Sequence, residues 1–245
     1  MKAMILAAGL GTRLKPWTLS HPKALVPVGG VPMLERVIEK LKSQGFDDIV
    51  INVHHFADQI IDFVRARDFG ARIRISDESG KLLDTGGGLL HAAGLLSEDA
   101  APFLVHNVDI LSDADLVALM RAHERKGVDS TLLVSERDSS RRLIFDPDLR
   151  LRGWHNVQSG QLRPEGFHPE STDREFAFSG IQVMSPKVFA DMERLQMREA
   201  FPVMDYLLHP DRRAVVAGHL ASSLHLIDIG KPDSLQAAQM AITLE

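Results

Sequence analysis

The stretch Leu6-Ala7-Ala8-Gly9-Leu10-Gly11-Thr12-Arg13-Leu14-Lys15-Pro16 decides how this chain is read. It continues an apolar run, Lys2 to Ala7, that breaks at Gly9 and Gly11 as a buried strand breaks into a loop. Small residues at Ala7, Ala8, Gly9 and Gly11 let the backbone approach a ligand closely, and successive amides there can cradle phosphate oxygens. Two familiar phosphate loops fail on residues. A dinucleotide fingerprint needs a third glycine where Leu14 stands, and an acid after the second strand, where Asn52, Val53, His54 and His55 stand. A P-loop needs Gly-Lys-Ser/Thr, and the chain has none here. What the stretch does offer is Arg13, with Lys23 following Pro22. Two fixed cations beside a glycine loop suit a triphosphate, whose charge must be neutralised before a second anion can approach. The competing reading makes both ordinary surface charges and the glycines mere turns.

Outward from this loop, strands and helices alternate. Met33 to Gln44 carries Leu34, Val37, Ile38 and Leu41 at helical spacing and stops at Gly45. Ile49–Val53 and Ala71–Ile75 read as strands around a helix over Phe56–Val64. Gly88–Leu96 and Ala114–Arg125 read as helices, and 102–106 and 130–134 as strands. The rhythm predicts a Rossmann-like α/β fold, a doubly wound, mostly parallel sheet with helices on both faces. After Ser135 it changes. Leu143–Trp154 and Glu175–Met184 read as strands without helices between them, separated by the polar segment Asn156–Asp173, which predicts a small antiparallel extension. A strand over Leu224–Ile229 and a closing helix over Pro232–Ala241 end the chain. We expect one domain over 1–245, with residues 1–135 carrying the phosphate loop and 136–245 a second substrate.

Composition narrows the classes. The 245 residues, 44% hydrophobic and 25% charged, suit one soluble α/β unit. A formal net charge of −5 argues against a nucleic-acid surface, and no apolar run approaches a bilayer-spanning length. Without cysteine there is no disulfide framework or thiolate metal site. The start MKAMILAAGLGTR lacks the long apolar stretch of a secretory signal, so a cytoplasmic protein without a membrane partner is expected. Monomer and dimer are both left open.

The run AAGLGTRLKPWTLSHPKALVPVGGVPMLE, residues 7 to 35, closely resembles the N-terminal signature of the sugar nucleotidyltransferases. The resemblance implies a glycosyltransferase-A-like catalytic domain, with residues 1–135 as its nucleotide-binding half and 136–245 as its sugar-binding half with the second metal aspartate, and a magnesium-dependent reaction of a nucleoside triphosphate with a sugar 1-phosphate. It implies Arg13 and Lys23 as catalytic cations. Leu6, Ala7, Ala8, Gly9, Gly11 and Thr12 would wrap the nucleotide with them. Asp109, after the strand Phe103-Leu-Val-His-Asn-Val, and Asp228, within Leu226-Ile-Asp-Ile-Gly230, match the family's metal-binding aspartates by position. Mg²⁺, which favours one or two carboxylates plus phosphate oxygens, is the expected cofactor. For Asp228 the flanking Ile227 and Ile229 predict a buried carboxylate that requires a partner. Asn107 would join the nucleotide side.

The resemblance also carries Leu83-Asp-Thr-Gly-Gly-Gly-Leu89, the family's second glycine-rich element. Thr85, Gly86 and Gly87 would lie against base and ribose, while Asp84 or Thr85 can equally cap a helix. Glu78 can accept a hydrogen bond from a base N–H or stand as a solvated acid. Phe178-Ser179-Gly180-Ile181 matches the sugar-side strand, with Ser179 and Gly180 toward the sugar. The sequence departs from the family twice. Val108 replaces the usual glycine before the first metal aspartate, where its side chain would crowd the ligands. The usual Glu-Lys-Pro, whose lysine holds the sugar phosphate, is not visible; Arg141, Arg142 and Arg174 are candidates against a solvated reading of each. His54 and His55, adjacent on a strand, point to opposite faces and suit no shared metal, whereas His106 can line the site.

Phe178-Ser179-Gly180-Ile181 and Thr85-Gly86-Gly87-Gly88 look closest to the muramic acid uridylyltransferase branch. The expectation is uridylyl transfer to an N-acetylated sugar 1-phosphate, in cell-wall or surface-glycan metabolism. The alternatives are guanylyl transfer to mannose or heptose 1-phosphate, and a catalytically silent regulator that binds nucleotide sugars.

Overall fold

In a computed structural model, residues 1–230 and 232–243 are described. The elements run β1 (Lys2–Leu6), β2 (Pro27–Val28), β3 (Val31–Pro32), α1 (Met33–Ser43), β4 (Asp48–Val53), α2 (Ala57–Arg65), β5 (Arg72–Asp77), α3 (Asp84–His91) and α4 (Ala93–Leu96). They continue through β6 (Phe103–Asn107), β7 (Ile110–Ser112), α5 (Leu116–Lys126), β8 (Ser130–Ser135), β9 (Arg141–Phe145), β10 (Leu151–Asn156), β11 (Gln161–Arg163) and β12 (Arg174–Met184). Helices α6 (Lys187–Arg194) and α7 (Val203–Leu207) precede β13 (Val216–Leu220), β14 (Leu226–Asp228) and α8 (Pro232–Thr243).

Strands β5, β4, β1 and β6 lie side by side and parallel, as the alternation predicts. Their side chains serve two cores in turn. Ile5, Ile49, Ile51 and Leu104 pack on one face with Leu34, Ile38 and Leu41 of α1. Met4, Val50, Phe103 and Val105 pack on the other with Leu89, Phe145 and Tyr206. The two-residue period of a strand thus explains why these runs are apolar throughout: both faces are covered. Helix α5 starts where Asp115 accepts a hydrogen bond from the Ala118 amide (2.8 Å), and it stops at Gly127, whose φ is 57°.

Beyond β6 the sheet turns antiparallel. The eleven-residue β12 pairs with β6, with β8 and with β9, and β10 and β11 extend the β9 edge. One sheet therefore crosses residue 135. Its register on β8 slips between Phe178 and Gln182, where Gly180 takes φ 78°, as a bulge requires. Several expectations are corrected. The strand read over Leu143–Trp154 is two, β9 and β10, because Asp146 accepts from the amides of Asp148 (3.0 Å) and Arg150 (2.8 Å) and turns the chain. The polar segment Asn156–Asp173 contains β11. The helix over Gly88–Leu96 starts earlier, at Asp84, and breaks at Ala92. The strand over Leu224–Ile229 shortens to β14 and pairs only with β7, in a ribbon apart from the main sheet. Between Ser185 and Ala221 stand α6, α7 and β13, which the reading left out; Val188, Phe189 and Met192 give α6 its buried face.

Candidate active site

The parallel strands end at one place. Leu6 closes β1, Asn52 precedes the end of β4, and Asn107-Val108-Asp109 follow β6 out of the sheet. Their carboxyl ends, with the loop of residues 8–13, line a cavity of about 420 Å³. Ligands of open α/β sheets bind in this position.

The loop is built around Gly11. Its φ is 63°, and a Cβ there would lie 2.8 Å from the Lys23 Cβ and 2.9 Å from the Thr18 Cγ2. Only glycine lets the segment carrying Lys23 pack onto the loop, so the two expected cations share one cradle. The Thr18 hydroxyl closes that contact, donating to the Gly11 carbonyl at 2.9 Å. Gly9, by contrast, has nothing within 4 Å of where a Cβ would project. Lys23 Nζ donates to Asp109 Oδ2.

Asp228 reaches the same region from the far end of the chain. It stands opposite Ile110 in the β7–β14 ribbon, and the Ile229 amide donates to the Asp109 carbonyl at 2.8 Å. The two aspartates, far apart along the chain, are thereby neighbours across the ribbon. A Cβ on Gly230 would sit 2.6 Å from Arg13 Nη2 and 2.7 Å from Asp228 Oδ1, so Arg13 and Asp228 converge over that glycine. The burial expected of Asp228 is corrected: its side chain is exposed, and Oδ1 accepts from the Gly230 amide at 2.8 Å. Two hard carboxylates on neighbouring residues beside the cavity suit a divalent cation, which would complete its shell with phosphate oxygens and water. Among the described residues no group of three or more His, Cys, Asp or Glu forms a protein-only metal cage.

Of the expected ligand residues, Leu6, Ala8, Gly9, Gly11, Thr12, Arg13, Lys23, Thr85, Asn107 and Asp109 line the cavity. Others lie behind it. Ala7 is buried, its amide donating to Asn52 Oδ1 (2.7 Å). Asn52 Nδ2 in turn donates to Glu78 Oε1 (2.7 Å), and Glu78 is buried rather than solvated. Burial pushes the Glu78 carboxyl up from its ordinary range against the pull of that hydrogen bond. Gly86 and Gly87 both donate their amides to the Phe201 carbonyl (2.8 and 3.2 Å), and a Cβ on Gly86 would meet the Phe201 ring at 2.3 Å. Their smallness serves the packing of α3 on the segment before α7. The Thr85 hydroxyl accepts from the Val203 amide (2.8 Å), and neither it nor Asp84 caps α3 by a side-chain hydrogen bond. Ser179 is buried with its hydroxyl accepting from the Ile181 amide (3.2 Å), and Gly180 lies beneath Asn107, whose Nδ2 would be 2.9 Å from a Cβ.

Sequence reasoning passed over Asn52, Leu82, Asp84 and Gly230 as cavity residues. Gly230 carried a signal, a glycine two residues beyond a strand-end aspartate; Asn52 gave only its place at a strand end. Val108, the departure from the family pattern, both lines the cavity and packs in the core, its amide donating to the Leu6 carbonyl (3.2 Å). The candidate arginines are otherwise engaged. Arg174 pairs with Glu136 (3.6 Å) and covers the Phe176 ring, Arg142 pairs with Asp138 (3.5 Å), and Arg141 is exposed at the start of β9. His106 lies buried with its Nδ1 against the Asn107 carbonyl (2.8 Å), and burial pushes its pKa down to about 4. It lines a second cavity, between α1 and the β7–β14 ribbon, and not the first. His54 and His55 lie past the end of β4 on different partners, the Glu78 and Thr18 carbonyls.

Residues 3–195 match the family model of the MobA-like NTP transferase domain. The chain belongs to this family. The NTP transferase is 32% identical, over 98% of its length and 97% of the relative's, to the N-acetylmuramate alpha-1-phosphate uridylyltransferase of Neisseria meningitidis serogroup B. It is 33% identical to the enzyme of the same name from Caulobacter vibrioides, covering 77% of each chain. The mannose-1-phosphate guanylyltransferase catalytic subunit beta of Xenopus tropicalis is 31% identical over 83% of this chain, which spans 56% of that longer relative. Among solved structures, HddC from Yersinia pseudotuberculosis, in complex with GMP-PN, superposes with a TM-score of 0.77 at 25% identity, over 98% of this chain and 99% of that one. No helix among the described residues is long and apolar enough to cross a membrane.

Proposed function

We propose that this NTP transferase joins UTP to an N-acetylated sugar 1-phosphate, N-acetylmuramic acid 1-phosphate foremost, giving a nucleotide sugar and pyrophosphate in cell-wall metabolism. A phosphate oxygen of the sugar attacks the α-phosphorus of the triphosphate. The bond from that phosphorus to the bridging oxygen breaks, and pyrophosphate carries its electron pair away. Both reactants are anions, so the difficulty is repulsion and alignment rather than proton transfer. The observation that carries the reading is the meeting of Arg13, Lys23, Asp109 and Asp228 at the carboxyl ends of β1 and β6, from two distant parts of the chain.

The loop amides around Gly9 and Gly11 cradle the triphosphate, with Leu6 and Asn107 at its ribose end. Lys23 and Arg13 face the phosphates, and Arg13 is placed to hold charge as pyrophosphate leaves. Asp109 and Asp228 would hold Mg²⁺, whose bound charge offsets that of the phosphates. The side of the cavity toward Gly180 is left to the sugar phosphate. The choice of uracil rests on the two uridylyltransferase relatives, one of which matches nearly end to end. The HddC complex favours a second reading, guanylyl transfer to a mannose or heptose 1-phosphate. The test is to incubate the protein with Mg²⁺, each nucleoside triphosphate and a panel of sugar 1-phosphates, and to measure pyrophosphate. Release with UTP and N-acetylmuramic acid 1-phosphate above every other pair is expected. A preference for GTP selects the second reading, and no release from any pair overturns both.

A further inference from the structure

Just past the end of β8, Arg137 holds a charge with no ion-pair partner among the described residues. Its Nη2 donates to the Phe178 carbonyl at 2.8 Å, and its Nε is buried without a hydrogen-bond partner. Its neighbours in sequence are acids, but Glu136 pairs with Arg174 and Asp138 with Arg142. Among the described residues no carboxylate stands within ion-pair distance of Arg137. A half-buried guanidinium held by one neutral acceptor is costly unless an anion meets its accessible edge.

Its position says which. The carbonyl that anchors it belongs to Phe178, at the bulge of β12, and two residues on Gly180 abuts Asn107, which lines the cavity. Asp228 is the carboxylate whose charge acts on it. Arg137 thus stands at the Asp228 and Gly180 side of the site. That is the side left for the second substrate, and the lysine expected there is absent from the sequence. Arginine offers donors in a planar fork: with one Nη2 hydrogen held by Phe178 and Nε buried, the Nη1 hydrogens and the second Nη2 hydrogen remain for phosphate oxygens.

We propose that Arg137 binds the phosphate of the incoming sugar 1-phosphate, taking the place of the missing lysine. This rests on the nucleotidyl-transfer reading above. The phosphate monoester is recognised through its oxygens, and the Phe178 carbonyl fixes the fork before it arrives, so little side-chain freedom is lost on binding.

Steady-state kinetics of the full chain tests it, with UTP and N-acetylmuramic acid 1-phosphate varied separately in R137A, R137Q and R137K. R137Q keeps a donor for the Phe178 carbonyl and loses the charge, which separates a folding role from a binding one. R137A and R137Q should raise KM for the sugar 1-phosphate by about 10- to 100-fold, the range for a lost charge-assisted hydrogen bond. KM for UTP should stay within about twofold, and R137K should recover part of the loss. Inhibition of the wild type and R137Q by N-acetylglucosamine 1-phosphate, which lacks the muramic acid carboxylate, should weaken by the same factor. Weakening confined to the muramic acid substrate would move Arg137 to that carboxylate and overturn the assignment. A rise in KM for UTP instead, or a lower Tm with both KM values unchanged, also overturns it, the latter making Arg137 a brace for the bulge. A wild-type protein that releases no pyrophosphate with any pair fails the functional reading itself, and this proposal with it.

Discussion

The proposed phosphate and sugar sides of the cavity are built by different means. On the phosphate side the backbone does most of the work. The loop after β1 is shaped by Gly11, and Lys23 arrives because that glycine leaves room for it. On the sugar side the parts are side chains and strand ends brought from far apart: Asp228 across the β7–β14 ribbon, Gly180 at a bulge, Arg137 on a carbonyl of β12. Local backbone shape is written in a short run of residues, whereas a convergence of distant side chains exists only once the sheet is assembled.

If the two sides form one site, damage to either should stop the reaction. Asp109→Asn and Asp228→Asn should each lower kcat by about 100-fold or more, with Tm nearly unchanged, since each removes charge where phosphates must be gathered. Full activity of Asp228→Asn at saturating Mg²⁺ would confine the chemistry to the phosphate side. A smaller effect is expected at the joint between them. Gly230→Ala puts a methyl between Arg13 and Asp228 and should cost about tenfold in kcat through misplacement, leaving the fold intact by circular dichroism. Unchanged kinetics would mean that Arg13 and Asp228 act independently.

The glycines sharpen the contrast. Gly86→Ala drives a Cβ to 2.3 Å from the Phe201 ring and should destabilise the fold by about 1 to 3 kcal/mol in urea titrations. Gly9→Ala meets nothing within 4 Å, so stability should stay within about 0.5 kcal/mol while KM for the triphosphate rises. Equal stability losses would make Gly9 a packing residue like Gly86. The smallest effect concerns pH. His106 titrates near its ordinary 6.5 when unfolded and at about 4 when folded, because burial disfavours its charged form. Its contribution is therefore complete above 6.5 and is lost as pH falls toward 4. Unfolding free energy should drop by about 1 kcal/mol between pH 7 and 5.5, and His106→Gln should flatten that slope. A slope unchanged in the variant would assign the acid sensitivity elsewhere.

The same contrast explains what the sequence disclosed. The parallel core was legible because strands covered on both faces are apolar throughout, and α1 shows its helical spacing plainly. Lys23 was named from the motif and Asp109 from its place after an apolar strand, and the two form an ion pair here. The antiparallel half was read coarsely, since a turn made by the Asp146 side chain splits one apparent strand into two. Gly86 and Gly87 look like a ligand loop in sequence because packing against Phe201 and approach to a nucleotide both demand small residues. Arg137 gave no signal at all: its distinction lies in which acids its neighbours have already taken.

The contact from the Ile229 amide to the Asp109 carbonyl has a consequence for timing. A chain growing on the ribosome completes its phosphate loop, Lys23 and Asp109 more than a hundred residues before Asp228 is added, and the early strands can fold as they emerge. The second carboxylate comes only with β14. If both aspartates hold the metal as proposed, the nascent protein until then carries a cradle for phosphate without its second carboxylate, and a chain released early is inert rather than wasteful of nucleotide.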